Sequence, residues 1–547
     1  MKNLLLSFLC LSFYFSAAAQ CSVVEVPLSQ RASAATLTVE GKVISQNSFW
    51  NTNSTMIYTS SQVEIYKIFK GTLSTSTISI ISEGGVVGLT KIIADPALEL
   101  IPGDIGVFTC APVTHMRNLP ANMTGIPQFE AFASVQGFIK YDPITETASD
   151  IFHTYSYIET DLYPVVLDPN RLTYAQVQSY SIHSSAALHN GPNPTTQVIS
   201  GFLPTTVTAG TGTTVTINGT GFGATQGSGF VGFKNGDDGG ATYINPLPSQ
   251  YISWSSTQIV VEVPSNAGTG TIQVTQGVTQ TSAGSLTVSY SHLNVDFDPG
   301  SGVIAYQTDH INDNGTGGYT WRMNTAFDAN TVERAAFVRA FDSWRCATGV
   351  NWSIGATTSI NDALSDGTNI ICNDNTAPLS AGILGVCYSY WSGCASGPTI
   401  VWYVNELDII FDDGSNISPL TWEYGPSLPT GSEYDFETVA VHELGHGHQL
   451  GHVINNGAIM HYAISNGTSN RALGVNDLAG GNFVQAKSVV ANICGPSQMT
   501  AFSCAAAPVA NFSGTPTTLC PGGSVTFTDL STNTPTSWSW TFQGGTP

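Results

Sequence analysis

The sequence predicts a multidomain chain in which one α+β domain is flanked by all-β sandwich domains. Its 547 residues exceed what a single hydrophobic core organises. Period-two apolar alternation, broken by Gly, Ser and Thr turns, runs through residues 21–290 and returns after 508. Helical periodicity concentrates between 291 and 495, where Phe337, Ala340, Phe341 and Trp344 repeat at i, i+3, i+4 and i+7.

The chain opens with Lys2, an apolar run from Leu4 to Phe15, and the small residues Ala17, Ala18 and Ala19. That pattern predicts a signal peptide over 1–20 and a secreted, extracellular protein. Gln20 before Cys21 argues against a lipid anchor, and no later apolar run is long enough to cross a bilayer. The net charge of −22, from 16 basic and 38 acidic residues, repels nucleic acid and anionic lipid. Neither is an expected partner. Export makes disulfides the expectation for the cysteines after the signal. Proximity suggests Cys21 with Cys110, pairs among Cys346, Cys372, Cys387 and Cys394, and Cys494 with Cys504, leaving Cys520 over.

Residues 21–190 carry runs such as Leu37–Val43, Val63–Ile65 and Ile78–Ile80, and predict one β-rich domain without a catalytic constellation of its own. Residues 195–290 hold Phe202-Leu203-Pro204, Thr214 to Gly223, Trp254, Ile259 to Pro264 and Ile272 to Val274. This pattern resembles an IPT/TIG domain, which implies an immunoglobulin-like sandwich that spaces or binds. Within 291–495, Asn330 with Glu333 predicts a helix start, and Leu407–Phe411 predicts a strand. Ser432 to Phe436 supplies capping residues for a following helix. Asp408, Asp412 and Asp413 offer oxygen ligands for structural calcium (Ca2+), although a solvated acidic turn is the simpler reading. From 508 to 547, Cys520 to Phe527 and Trp538 to Phe542 resemble the first half of a PKD-type β-sandwich.

The chemistry lies in His442-Glu443-Leu444-Gly445-His446-Gly447-His448-Gln449-Leu450-Gly451-His452. On a helix, His442 and His446 share one face and can hold a metal together, with Glu443 beside it. His452 lies six residues beyond His446 and offers the third ligand. His448 is the alternative, but two residues past His446 it points to the far side. Histidine is scarce, 11 in the whole chain, yet five stand between 442 and 461, which a satisfied core histidine does not explain. Neutral imidazoles, a vacant water position and a nearby carboxylate are what zinc hydrolysis needs.

The spacing resembles the long zinc motif of the metzincin peptidases. Ala458-Ile459-Met460-His461-Tyr462 resembles their Met-turn, an apolar floor beneath the histidines. The resemblance implies an α+β metzincin-like catalytic domain flanked by immunoglobulin-like sandwiches. Zinc (Zn2+) would be held by His442, His446 and His452, with Glu443 as general base. Tyr462 stands two residues after the methionine, as in the astacin and serralysin branches, where that tyrosine binds zinc at rest or the oxyanion. The short gap from His452 to Met460 is more like the matrixin branch. One position departs: metzincins place glycine where Gln449 stands, and a left-handed non-glycine costs about 1 kcal/mol. The matrixin cysteine switch is not recognisable around Cys110, so residues 21–190 read as a pro-region with another device or as an accessory domain.

The expected function is a secreted zinc endopeptidase acting on extracellular proteins or peptides. Its β-sandwich domains could bind a surface or matrix. The alternatives are an adhesin or binding protein with an inactive peptidase domain, and a peptidase of the pappalysin-like branch.

Overall fold

The computed structural model describes residues 22–120, 125–182, 197–375, 378–414, 420–504, 509–518, 520, 522–531 and 538–541. The expected signal peptide, Cys21 and the 183–196 stretch lie outside them. The chain divides into two compact units, Met1–Ala501 and Phe502–Pro547. Among the described residues, no helix is long and apolar enough to cross a membrane.

The first part of the larger unit is a closed barrel. Its strands run Leu37–Trp50, Ile57–Lys70, Thr77–Glu83, Gln128–Ala131 and Ile105–Ala111, and the last pairs back onto the first. The same sheet also runs on from Ile105–Ala111 through Phe138–Asp142, Thr147–Ser149 and Thr154–Tyr155. Val39, Val63, Ile65, Ile78, Ile80 and Phe108 alternate inward and fill the barrel. The helix Leu28–Ala34 fastens to this barrel through Arg31, whose guanidinium pairs with buried Asp150.

Residues 198–292 form a sandwich. One sheet orders Val198–Leu203, Thr214–Thr220, Gln258–Glu262 and Tyr251–Trp254. The other is built on Val278–His292, Gly270–Gln276 and Phe230–Lys234. Ile217, Phe222, Val231, Ile259 and Val274 meet between them. The long strand Val278–His292 leaves the sandwich at its end, where Ser291 and His292 pair with Gly451 and Leu450.

A mixed sheet follows, with Tyr319–Met323, Asn369–Asn373 and Thr399–Phe411 parallel and Gly385–Ser396 antiparallel to them. The helix Thr331–Thr348 starts where Asn330 donates to Glu333 at 2.9 Å and stops at Gly349, left-handed at φ 78°. It buries Phe337, Ala340, Phe341 and Trp344, and the Trp344 indole donates to the Val441 carbonyl at 2.8 Å. The helix Phe436–Gly447 is thereby fixed against it. Asp435 caps that helix by accepting from the Thr438 amide at 2.7 Å. A third helix, Val475–Ser488, packs behind.

Beyond Gly385–Ser396 the sheet gains two strands from the barrel region, Thr90–Asp95 and then Gly85–Val87. No local pattern in the sequence pointed to this pairing. The cysteine expectations also change. Cys494 bonds to Cys394, not to Cys504, because the stretch around Gly495 packs onto Tyr403 of the neighbouring strand. Cys110, Cys372 and Cys387 keep buried thiols, and Cys372 and Cys387 lie on strands either side of Thr399–Phe411, beside Ile410 and Ile409. Cys520 is an exposed thiol. In the smaller unit, Phe512–Thr515 pairs with Thr526–Asp529, and Phe512, Phe527 and Trp540 form an aromatic group.

Candidate metal centre

His442 and His446 project from one face of the helix Phe436–Gly447, and His452 follows two residues after Leu450. His442 Nδ1 donates to the Ile459 carbonyl at 2.7 Å, and His446 Nδ1 to the Leu450 carbonyl at 2.9 Å. A carbonyl only accepts, so both protons sit on Nδ1 and both Nε2 atoms present lone pairs. Those Nε2 atoms face each other at 2.9 Å. Two lone pairs at that distance repel unless a cation joins them. His452 Nδ1 meets the Asp237 carboxylate at 3.0 Å, which fixes the same tautomer. One ring nitrogen from each histidine lies within 4.8 Å of the others. Burial, helped by neighbouring His452, lowers His442 to about 3, and burial holds His446 well below its ordinary value. The donors are neutral, as a metal requires.

Glu443 is wholly buried beside this group. Neither of its oxygens meets a hydrogen bond of normal length, although the Ser22 hydroxyl and Cys387 amide favour its charged form. Burial outweighs them and pushes the carboxyl well above the usual range. A buried carboxyl group of raised proton affinity, set against three converging imidazoles, suits a water between base and metal. Met460 lies beneath: a Cβ on Gly445 would fall 2.2 Å from its sulfur.

Gln449 adopts φ 65°, the left-handed bend that glycine serves more cheaply. Its side chain supplies the compensation. The amide oxygen accepts from the Trp391 indole at 2.7 Å and from Thr308 at 3.0 Å, all in the interior. His448 turns away into the core, bonded to Thr348 at 3.0 Å and to His310 at 3.2 Å. Tyr462 lays its ring against His461 and its hydroxyl against the sandwich turn at Gly239, where a Cβ would fall 2.4 Å from that oxygen.

Sequence reasoning missed two carboxylates. Asp237 comes from the sandwich turn Asn235-Gly236-Asp237-Asp238-Gly239-Gly240, whose acidic glycine-rich character was the available signal. Asp95 ends the added strand, with Oδ2 at 3.3 Å from His446 Nδ1 and Oδ1 at 3.9 Å from His452 Nε2. Burial, with Asp237 nearby, pushes Asp95 up to about 7 against the pull of His452. The calcium candidates divide differently. Asp408 is occupied by the Leu364 and Ile370 amides and the Tyr390 hydroxyl. Asp374 instead joins Asp412 and Asp413, and its carboxylate accepts from the Leu379 and Asp413 amides, tying down the turns.

The family model of the IPT/TIG domain matches residues 198–290, and that of the matrixin family matches residues 398–483. No curated protein matches the chain. The matrixin match runs from the strand Thr399–Phe411 into the helix Val475–Ser488 and contains all three histidines. These matches support a matrixin-like zinc metallopeptidase with a TIG domain in a multidomain, mostly β chain. Zinc suits the donor set described above, and a peptidase implies a protein substrate.

Proposed function

We propose that the chain is a secreted zinc endopeptidase in which His442, His446 and His452 hold the metal. The observation that carries this reading is the facing of two proton-free Nε2 atoms at 2.9 Å, with the third imidazole oriented by Asp237. Zinc, when bound, polarises a carbonyl and lowers the pKa of water towards about 7. Glu443 takes the proton of the attacking water and passes it to the leaving amine. Its burial, which raises its proton affinity, suits a group that must both accept and release. The Ile459 and Leu450 carbonyls and Asp237 hold the imidazoles in the liganding tautomer. Tyr462 would assist at the oxyanion after leaving the Gly239 turn. An extended substrate would add its backbone to the strand Gly385–Ser396. Lys2 and the Leu4–Phe15 run support export, which N-terminal sequencing of the released chain would check.

Glu443→Ala should abolish cleavage of an unfolded casein while zinc stays bound; retained cleavage would exclude the mechanism. His452→Ala should sharply lower zinc content, and if His448→Ala did so instead, the ligand set is wrong. The competing adhesin reading predicts no casein cleavage with or without chelator.

A further inference from the structure

We infer that the N-terminal barrel domain is an inhibitor of the metal centre within its own chain, holding the cleft with two separate segments. The inference rests on the peptidase reading above and names how that site is regulated. The first segment is the strand Thr90–Asp95, which pairs antiparallel with Gly385–Ser396 from Thr90 on Ser392 to Asp95 on Cys387. These are the backbone groups that an extended peptide would need. The second is the stretch before the first helix. Val23 bridges antiparallel to Ile383, the Val24 amide donates to the Gly382 carbonyl at 2.7 Å, and the Leu384 amide donates to the Ser22 carbonyl at 2.7 Å.

Both segments run in the same sense against one continuous stretch, 382–392. Together they trace a single extended peptide with a break in it. The break falls between Asp95, opposite Cys387, and Ser22, opposite Leu384. Gly385 lies in that interval, and its Cβ position is 3.1 Å from Glu443 Cγ. The general base therefore faces the one place where no peptide bond joins the two halves. Pro96 has no N–H with which to continue the ladder. The barrel thus presents a peptide's backbone contacts without a bond to cut.

The plug is also firmly mounted. Gln136 accepts from the Val26 amide at 2.8 Å and donates to the Val24 carbonyl at 2.9 Å, while Arg31 Nε donates to the Val26 carbonyl at 2.8 Å. On the other segment, Ile92 and Ala94 are buried among Tyr58, Ile81, Tyr388 and Tyr390. At the break, the Asp95 carboxylate reaches His446 and His452, and Ser22 lies on Glu443. The result is a closed site, with His442 and His446 1% exposed, Glu443 0% and His452 4%. A substrate cannot reach these groups until the barrel segments withdraw.

The test compares three full-length chains, each loaded with one zinc: wild type, the opened variant Ile93→Pro/Asp95→Ala, and the locked variant Thr90→Cys/Ser392→Cys. Hydrogen exchange at the amides of 387–392 reports whether the strand has left. A short peptide hydroxamate serves as the probe, and casein cleavage is measured beside it. The opened variant should lose protection at 387–392, bind the hydroxamate at least tenfold more tightly than wild type and cleave casein at least tenfold faster. The oxidised lock should abolish residual wild-type cleavage, which reduction restores. An opened variant that has lost protection yet binds the probe no better than wild type would overturn the inhibitor assignment. So would an oxidised locked chain that cleaves casein at a measurable rate equal to that of wild type. An opened chain that binds the probe tightly but leaves casein intact keeps the inhibitor and removes the peptidase reading.

Discussion

At Gln449 two opposed effects of similar size meet, and their balance can be measured. The left-handed backbone costs about 1 kcal/mol against glycine. The buried amide returns more, because removing it leaves the Trp391 indole N–H without its 2.7 Å acceptor, at about 1–3 kcal/mol. Gln449→Gly should therefore lower the urea-unfolding free energy of the zinc-loaded chain, by up to about 2 kcal/mol net; a more stable glycine variant would show that backbone strain dominates. With zinc held as proposed, Asp237 would act on the metal rather than on the fold. Its 3.0 Å contact orders His452 from another domain, and loss of such a partner weakens zinc binding by about 10–100-fold. The Asp237 side chain is 42% exposed, so the lower end is expected, about tenfold for Asp237→Ala and less for Asp237→Asn. Competition with a metal indicator would read this, and equal affinities in all three chains would deny Asp237 the role.

Elements meet where the strand Val278–His292 leaves the sandwich. His292 is buried there, donates Nε2 to the Thr308 carbonyl at 3.1 Å and sits edge-on to Phe483 of the helix Val475–Ser488. Burial lowers it to about 4 from 6.5. The unfolded chain therefore takes up a proton as pH drops below 6.5, while the folded chain does not. Its contribution is present above 6.5 and is lost as pH falls towards 4. The stability gap between wild type and His292→Gln should narrow from pH 7 to 4.5 in urea titrations with chelator present, and a constant gap would refute the assignment. Such cross-domain contacts mark the limit of what the sequence discloses. The helix carrying His442 and His446 was readable because capping, periodicity and ligand spacing are all local. The left-handed bend at Gln449 was readable as a conflict between residue type and position, but not its resolution through Trp391 and Thr308. The strand Thr90–Asp95 looks like any other short apolar run. Its partner lies some 300 residues away, and register between distant strands leaves no mark in either one.

Over the larger unit, three regions of one chain converge on a single small group of atoms. The helix Phe436–Gly447 and the turn after it supply three imidazoles, the sandwich supplies Asp237, and the strand Thr90–Asp95 from the barrel region supplies Asp95. A metal held there would do more than complete a site, because any ligand that binds only the folded state stabilises it, by about 4 kcal/mol at a thousand times its Kd. That stabilisation should reach every element that depends on the converging groups. Without the metal, two imidazole nitrogens with lone pairs are left facing each other at 2.9 Å, and relieving them turns a ring away from its carbonyl, so that Leu450 or Ile459 separates from the helix. Separation pulls on Leu450 and Gly451, which pair with the sandwich, and on the contact between Asp95 and His446. Chelation should therefore reduce hydrogen-exchange protection together in 90–95, 235–240 and 442–461. The barrel core around Val39 and Phe108 and the sandwich core around Phe222 should keep theirs, since neither cluster includes a residue of the centre. Loss confined to 442–452 would mean that the three domains touch at the metal without depending on it.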